Sequence, residues 1–167
     1  DSAAHRLYLT HGTEVVVIDT QTSAVVGRIP AGPRVHGLVI TPGNRGFITN
    51  GGDNSVSVVD LTTLTVLAKV PAQANPDAIT YDAPRNAVYA LNHTGKSATV
   101  IDAKTHAVIA TITLSGTAES GQVDPELGRV YVNIEDRSSV DVIDAVTHKV
   151  IATWPVAPAE EPTGMAI

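Results

Sequence analysis

Thr99-Val100-Ile101-Asp102-Ala103-Lys104-Thr105 decides the fold, because this stretch is written four times along the 167 residues. The other copies are Val16-Val17-Ile18-Asp19-Thr20-Gln21-Thr22, Ser57-Val58-Val59-Asp60-Leu61-Thr62-Thr63 and Asp141-Val142-Ile143-Asp144-Ala145-Val146-Thr147. Their aspartates, Asp19, Asp60, Asp102 and Asp144, lie 41, 42 and 42 residues apart. A fixed period of this size marks a repeat architecture, in which each unit buries its apolar faces only by stacking on its neighbours. Within each copy the β-branched residues before the Asp favour a strand. The Asp can accept hydrogen bonds from amides two and three residues on and so hold a tight turn.

Working outward from this stretch, each repeat divides into four short apolar runs separated by turn residues, which is the signature of strands. The first repeat predicts strands over 6–11, 15–18, 24–29 and 35–41, and the second over 47–50, 55–59, 64–70 and 76–81. The third predicts 88–92, 98–101, 108–114 and 118–123, and the fourth 130–133, 140–143, 150–154 and 162–167. The repeats are approximately 1–41, 42–81, 82–123 and 124–167, together one unit of four blade-equivalents. Asp1 aligns with Asp82 and Asp124, and Ile167 holds the position just before them, so the last residue is in phase with the first. With residue 1 in the middle of a repeat, the expectation is a mature or trimmed piece of a longer precursor.

Composition narrows the functional classes. The chain is 43% hydrophobic but only 4% aromatic, a bias toward Val, Ile, Ala and Thr that favours strands. Eleven basic residues against seventeen acidic ones give a net charge of −6 with no basic block, which argues against a nucleic-acid partner held by counterion release. Absence of cysteine excludes a disulfide framework and a thiolate metal site. No apolar run reaches the roughly 18 residues of a membrane-spanning helix.

The tetrapeptides Tyr8-Leu9-Thr10-His11, Phe47-Ile48-Thr49-Asn50 and Tyr89-Ala90-Leu91-Asn92, each followed by the Asp turn, resemble the YVTN family of β-propeller repeats. Tyr131-Val132-Asn133-Ile134 departs in lacking the final Asn, and the first copy is two residues shorter between Tyr8 and Asp19 than the others. The resemblance implies an all-β propeller of four-stranded antiparallel blades, and a periplasmic, secreted or cell-surface location. It places 35–41, 76–81, 118–123 and 162–167 innermost in their blades. Segment 162–167 could then complete the first blade beside 6–11, in the same chain or in a neighbour. A homodimer making an eight-bladed ring is the favoured expectation, since closure leaves no strand edge exposed. A closed four-bladed ring comes next, then a fragment of a longer propeller.

At the entrance of the innermost strands one repeat position holds His36, Asp77, Glu119 and Thr163. Equivalent positions of a propeller face the same end of the central channel, so these residues are expected to converge as a ligand site. His36, Asp77 and Glu119 offer the nitrogen and oxygen ligands that a divalent metal favours. The plainer reading is a hydrated channel mouth without a specific occupant. Arg34, Asn75, Thr117 and Glu161, two residues earlier, read as its rim, and the turns 11–13, 51–54, 93–96 and 135–138 should open on the same face.

The remaining candidates read as structural. The four turn aspartates look like caps, and His106 and His148 recur because the repeat recurs. Asn92-His93-Thr94 fits a glycosylation acceptor, yet Asn92 closes the family tetrapeptide. No P-loop, nucleophile elbow, dinucleotide fingerprint or His-Glu-x-x-His motif is present. The leading functional expectation is non-catalytic binding or scaffolding of a protein, carbohydrate or small ligand at one end of the ring. A metal- or cofactor-dependent enzyme, lactonase-like or haem-d1-type, is the alternative the resemblance adds, and a surface-layer or extracellular structural module is the third.

Overall fold

The computed structural model describes all 167 residues and contains fifteen strands. In the first blade these are β1 (Arg6–His11), β2 (Glu14–Asp19) and β3 (Val25–Ile29). The second blade contributes β4 (Val35–Thr41), β5 (Arg45–Asn50), β6 (Ser55–Asp60) and β7 (Thr65–Pro71). The third has β8 (Pro76–Asp82), β9 (Ala87–Asn92), β10 (Ser97–Asp102) and β11 (Val108–Thr113). The fourth has β12 (Ala118–Asp124), β13 (Arg129–Ile134), β14 (Ser139–Asp144) and β15 (Lys149–Pro155), with a single 3-10 turn at Glu135–Arg137. Each blade is one antiparallel meander, and from the second blade on it begins with the strand closing the preceding sequence repeat; three sheets have four strands and the first has three. No helix is long and apolar enough to cross a membrane.

Strand alternation explains why the sheets stack. In β5, Phe47 points into a core shared with the third sheet, where it joins Val56, Val58, Val88, Ala90 and Ile101. Its neighbour Ile48 points the other way, into a core with Val15, Val17, Ile29 and Val59 from the first two sheets. A third core, around Tyr89, Leu91, Val100, Val130, Val132 and Ile143, joins the third and fourth sheets. The two middle sheets are thus buried on both faces, which is why their strands read as near-continuous Val and Ile. Burial raises the Tyr89 phenol to about 12.

The repeated Asp turn is built as the sequence expects. Asp102 Oδ1 accepts from Lys104 N at 3.0 Å, Thr105 N at 2.6 Å and Thr105 Oγ1 at 2.9 Å. Asp19, Asp60 and Asp144 make the same pair of backbone contacts. In all four turns these bonds, led by the backbone amide three residues on, hold the carboxyl below its ordinary range. The residue four after each Asp, Ser23, Leu64, His106 or His148, takes the left-handed conformation that closes the turn. His106 and His148 then sit edge-on to Phe47 and Tyr89 of the preceding blade, at 5.9 and 6.3 Å between ring centres. They are packing residues.

The Asn that ends the tetrapeptide has a structural task as well. Asn50 Nδ2 donates to Ser55 and Ser57 Oγ, and Asn92 Nδ2 to Ser97 Oγ and Thr99 Oγ1, tying the second strand of each blade to the third. Asn92 is fully buried, so it offers no glycosylation acceptor. In the fourth blade Ile134 replaces this Asn, and Ser139 Oγ is left without a partner. Asp141 there takes up the contact with the incoming linker, accepting from Ser115 N and Ser115 Oγ, and it also accepts from Thr153 Oγ1 of β15.

The arrangement is that of a β-propeller, laid out as an open arc. Inner strands β4, β8 and β12 lie side by side, and β1 flanks β4. The expected strand over 162–167 does not form, and β1 pairs only with β2. The tail nevertheless follows the path of an inner strand. Val156 N donates to Ser138 O, as Ala72 N does to Asn54 O and Leu114 N to Lys96 O in the earlier linkers. Asn133 Nδ2 then reaches Gly164 O at 3.0 Å, and Gln122 Nε2 reaches Met165 O at 3.4 Å. Segment 162–167 thus lies where the next blade begins, without the second strand whose amides and carbonyls would turn it into a ladder. In-chain closure as a four-bladed ring is therefore not the state of this chain.

Candidate functional site

The three inner strands share an irregularity where the sequence places its candidate residues. In β4 the register jumps from Val35↔Asn50 to Leu38↔Ile48, so His36 and Gly37 oppose the single residue Thr49. In β8 it jumps from Pro76↔Asn92 to Ile79↔Ala90, freeing Asp77 and Ala78, and in β12 from Ala118↔Ile134 to Gly121↔Val132, freeing Glu119 and Ser120. His36, Asp77 and Glu119 thus each sit on a β-bulge, a device that re-aims a side chain out of the ladder. The small residue that follows each one lets the inner strands approach. A Cβ at Gly37 would come within 2.8 Å of Ile79 Cγ2 and 2.9 Å of Asp77 O.

The bulges lie at the entrance of the inner strands, where the turns after β5, β9 and β13 also arrive. Gly51 N donates to Arg34 O, His93 N to Asn75 O and Glu135 N to Thr117 O, always two residues before the bulged one. The Asp turns close the other end of the blades, since the inner strand's last residue and the turn Asp both pair with the start of the second strand, as Asp82 and Asp102 do with Ala87.

The four expected residues do not form one constellation. His36 Nδ1 pairs with Asp77 Oδ1 at 2.8 Å, with side chains 39% and 26% exposed, so these two satisfy one another. Glu119 instead meets His93 and Glu135, with ligand atoms of all three within 4.8 Å of one another. Burial, then the negative charges of Glu135 and Asp77, hold the Glu119 carboxyl above its ordinary value of 4.5, against the opposing influence of His93. Thr163 lies exposed on the unpaired tail.

His93 and Glu135 are the residues sequence reasoning missed as ligands, although it brought their turns to this face. They occupy one repeat column, 42 residues apart and each just after the tetrapeptide, with Gly51 as the third member. Both turns are fixed to one another. Lys96 Nζ reaches Asp136 Oδ2 at 2.7 Å, and Asp136 Oδ1 accepts from Thr117 N at 2.7 Å. Those contacts hold the Asp136 carboxyl down at about 2, with the Lys96 contact leading. Gly116 makes room for them: a Cβ there would fall 2.1 Å from Asp136 Oδ1.

The site therefore has two compartments, a His36–Asp77 pair and a His93–Glu119–Glu135 cluster. In the latter the buried Nδ1 of His93 has no hydrogen-bond partner. None of the serine hydroxyls hydrogen-bonds a histidine, so no nucleophile–base pair is assembled at this end.

Fold and site together define a β-propeller arc with a titratable cluster at the entrance of its inner strands. No family profile matches the chain. Among curated proteins it is similar to the uncharacterized protein YncE of Salmonella typhi, at 31% identity over 91 residues, or 53% of this chain and 26% of that protein. YncE of Salmonella typhimurium matches at 30% identity over the same shares. The match thus spans about a quarter of those relatives. Among solved structures the chain superposes on Kuenenia stuttgartiensis hydrazine synthase with a TM-score of 0.87 and 19% identity, covering 93% of this chain and 47% of that one. At this identity the likeness is one of fold.

Proposed function

We propose that this chain is part of a non-catalytic binding propeller of YVTN type, exported to the periplasm or cell surface, that presents its bulged inner-strand end to a small polar ligand. One observation carries the reading: at that end the repeat positions hold different titratable groups on a rigid framework, whereas at the opposite end the same acid closes the same turn four times. Varied chemistry on a fixed scaffold is how binding sites are built.

Ring completion belongs to the same proposal. The face of blade one that points away from blade two leaves Leu7 and Leu9 each 52% exposed, and the far face of blade four leaves Trp154 at 51% and Ile167 at 73%. These are the two faces that adjacent propeller blades cover. A second copy, stacking its fourth blade on Leu7 and Leu9 and laying 162–167 beside β1, would cover both in an eight-bladed homodimer. A metal-dependent enzyme is the second reading, favoured by the His93–Glu119–Glu135 cluster.

Thermal-shift screening of monosaccharides, sugar acids and amino acids tests the first reading. The expected result is stabilisation by one of these classes that is lost in Glu119→Gln. Turnover of lactone substrates by the purified chain, without such stabilisation, would replace binding by catalysis.

A further inference from the structure

We propose that His93, Glu119 and Glu135 form a divalent transition-metal site at the entrance of the inner strands, with Zn2+ the ion their chemistry suits best. The inference deepens the binding reading of this end and rests on it.

Three observations carry it. The ligand atoms of the three side chains lie within 4.8 Å of one another. Ligands about 2.0–2.2 Å from a zinc ion stand some 3.3 Å apart in a tetrahedron, so small side-chain rotations close the gap. Second, the side chains come from separate, well-anchored elements. His93 is on the β9–β10 turn, Glu119 on the β12 bulge and Glu135 at the start of the 3-10 turn. The Lys96–Asp136 pair locks the two turns together beside them. An ion here would join the third and fourth blades. Third, His93 Nδ1 is buried without a hydrogen-bond partner, so no protein group competes for this nitrogen. His36, the histidine named first by the repeat pattern, is already engaged by Asp77.

Ligand type selects the ion. One imidazole with two carboxylates suits a borderline cation. Calcium favours six to eight oxygen ligands, which three side chains including a nitrogen donor do not supply. Three protein ligands leave a fourth position for water or an incoming ligand, the open form of a zinc site.

Isothermal titration of the chain with ZnCl2, after chelator treatment, tests the assignment. One Zn2+ per chain is expected, with affinity reduced by at least about tenfold in His93→Ala and in Glu135→Gln. His5→Ala and His11→Ala, both at exposed positions, should leave it within about twofold of the parent. Circular dichroism checks that the variants fold, and the near-isosteric Glu135→Gln keeps the test decisive if His93→Ala does not. No binding by the parent chain, undiminished binding in both ligand variants, or an equal loss in His5→Ala overturns the proposal. So does a loss confined to His36→Ala. Ligand stabilisation that survives without any zinc binding would remove the metal and leave the binding end in place.

Discussion

The two ends of the blades put the repeat to opposite purpose. At the turn end, Asp19, Asp60, Asp102 and Asp144 are interchangeable, and each carboxylate is consumed by amides two and three residues on. At the bulged end, one column holds His36, Asp77 and Glu119 and the next holds Gly51, His93 and Glu135. There His36 meets Asp77, and His93 meets Glu119 and Glu135, across neighbouring blades instead of within one turn. The lesson is that a row of identical acids in a repeat protein reports local geometry, while a column that changes chemistry from blade to blade reports what the assembled ring faces.

The contrast can be broken in four ways, in falling order of effect. Asn92→Ala removes the buried donor beneath the bulged end and strands two hydroxyls, and should cost about 2–3 kcal/mol in denaturant unfolding. An unchanged midpoint would show that this end does not depend on the tetrapeptide Asn. Asp102→Ala at the turn end should cost only about 1 kcal/mol, because its three bonds are exposed to competing water. The carboxyl of Asp102 is held low in the folded chain, so its stabilisation is present at neutral pH and lost as pH falls below the ordinary 3.8. The gap between parent and variant, followed by urea unfolding across pH, should close in acid.

Asp136→Asn acts at the bulged end and should cost about 1 kcal/mol or less, since the Lys96 pair is exposed. Its folded value of about 2 lies below the ordinary 3.8, so the parent's advantage fades between those two values as pH falls. A gap that closed near neutral pH would count against the Lys96 contact. The smallest effect should have the opposite sign. Glu119 is held above its ordinary value, so the folded chain keeps that proton to higher pH than the unfolded chain does. Its contribution is full in acid and lost as pH rises through the folded value. Glu119→Gln should therefore melt about a degree or two higher than the parent at neutral pH and level with it below pH 4, by scanning calorimetry. A variant that melts lower at neutral pH would mean that the ionised carboxylate is already compensated.

The sequence carried the fold further than the site, and particular residues show why. Period and strand order were legible because they are local: Val100-Ile101-Asp102 is a strand running into a capped turn whatever surrounds it. Segment 162–167 holds the same repeat phase as its equivalents but forms no strand, because a ladder needs a neighbour that repeat phase does not supply. His36, Asp77 and Glu119 were found by column, yet nothing in the one-dimensional pattern separates His36 paired with Asp77 from Glu119 paired across blades with His93. That distinction depends on the bulge register and on the turn contacts of Lys96 and Asp136, which exist only once blades three and four are stacked. The column of Gly51, His93 and Glu135 held the missing signal, since a histidine and an acid replace a glycine exactly one period apart.

The most direct test is a nitrogen-15 NMR titration of the chain with Zn2+, which probes both ends at once. The account expects amide shifts at one equivalent around His93, Glu119 and Glu135, with the amides of Gln21, Thr62, Lys104 and Val146 unmoved. Shifts centred on those four turns, or spread evenly over both ends, would contradict the assignment of ligand chemistry to the bulged end.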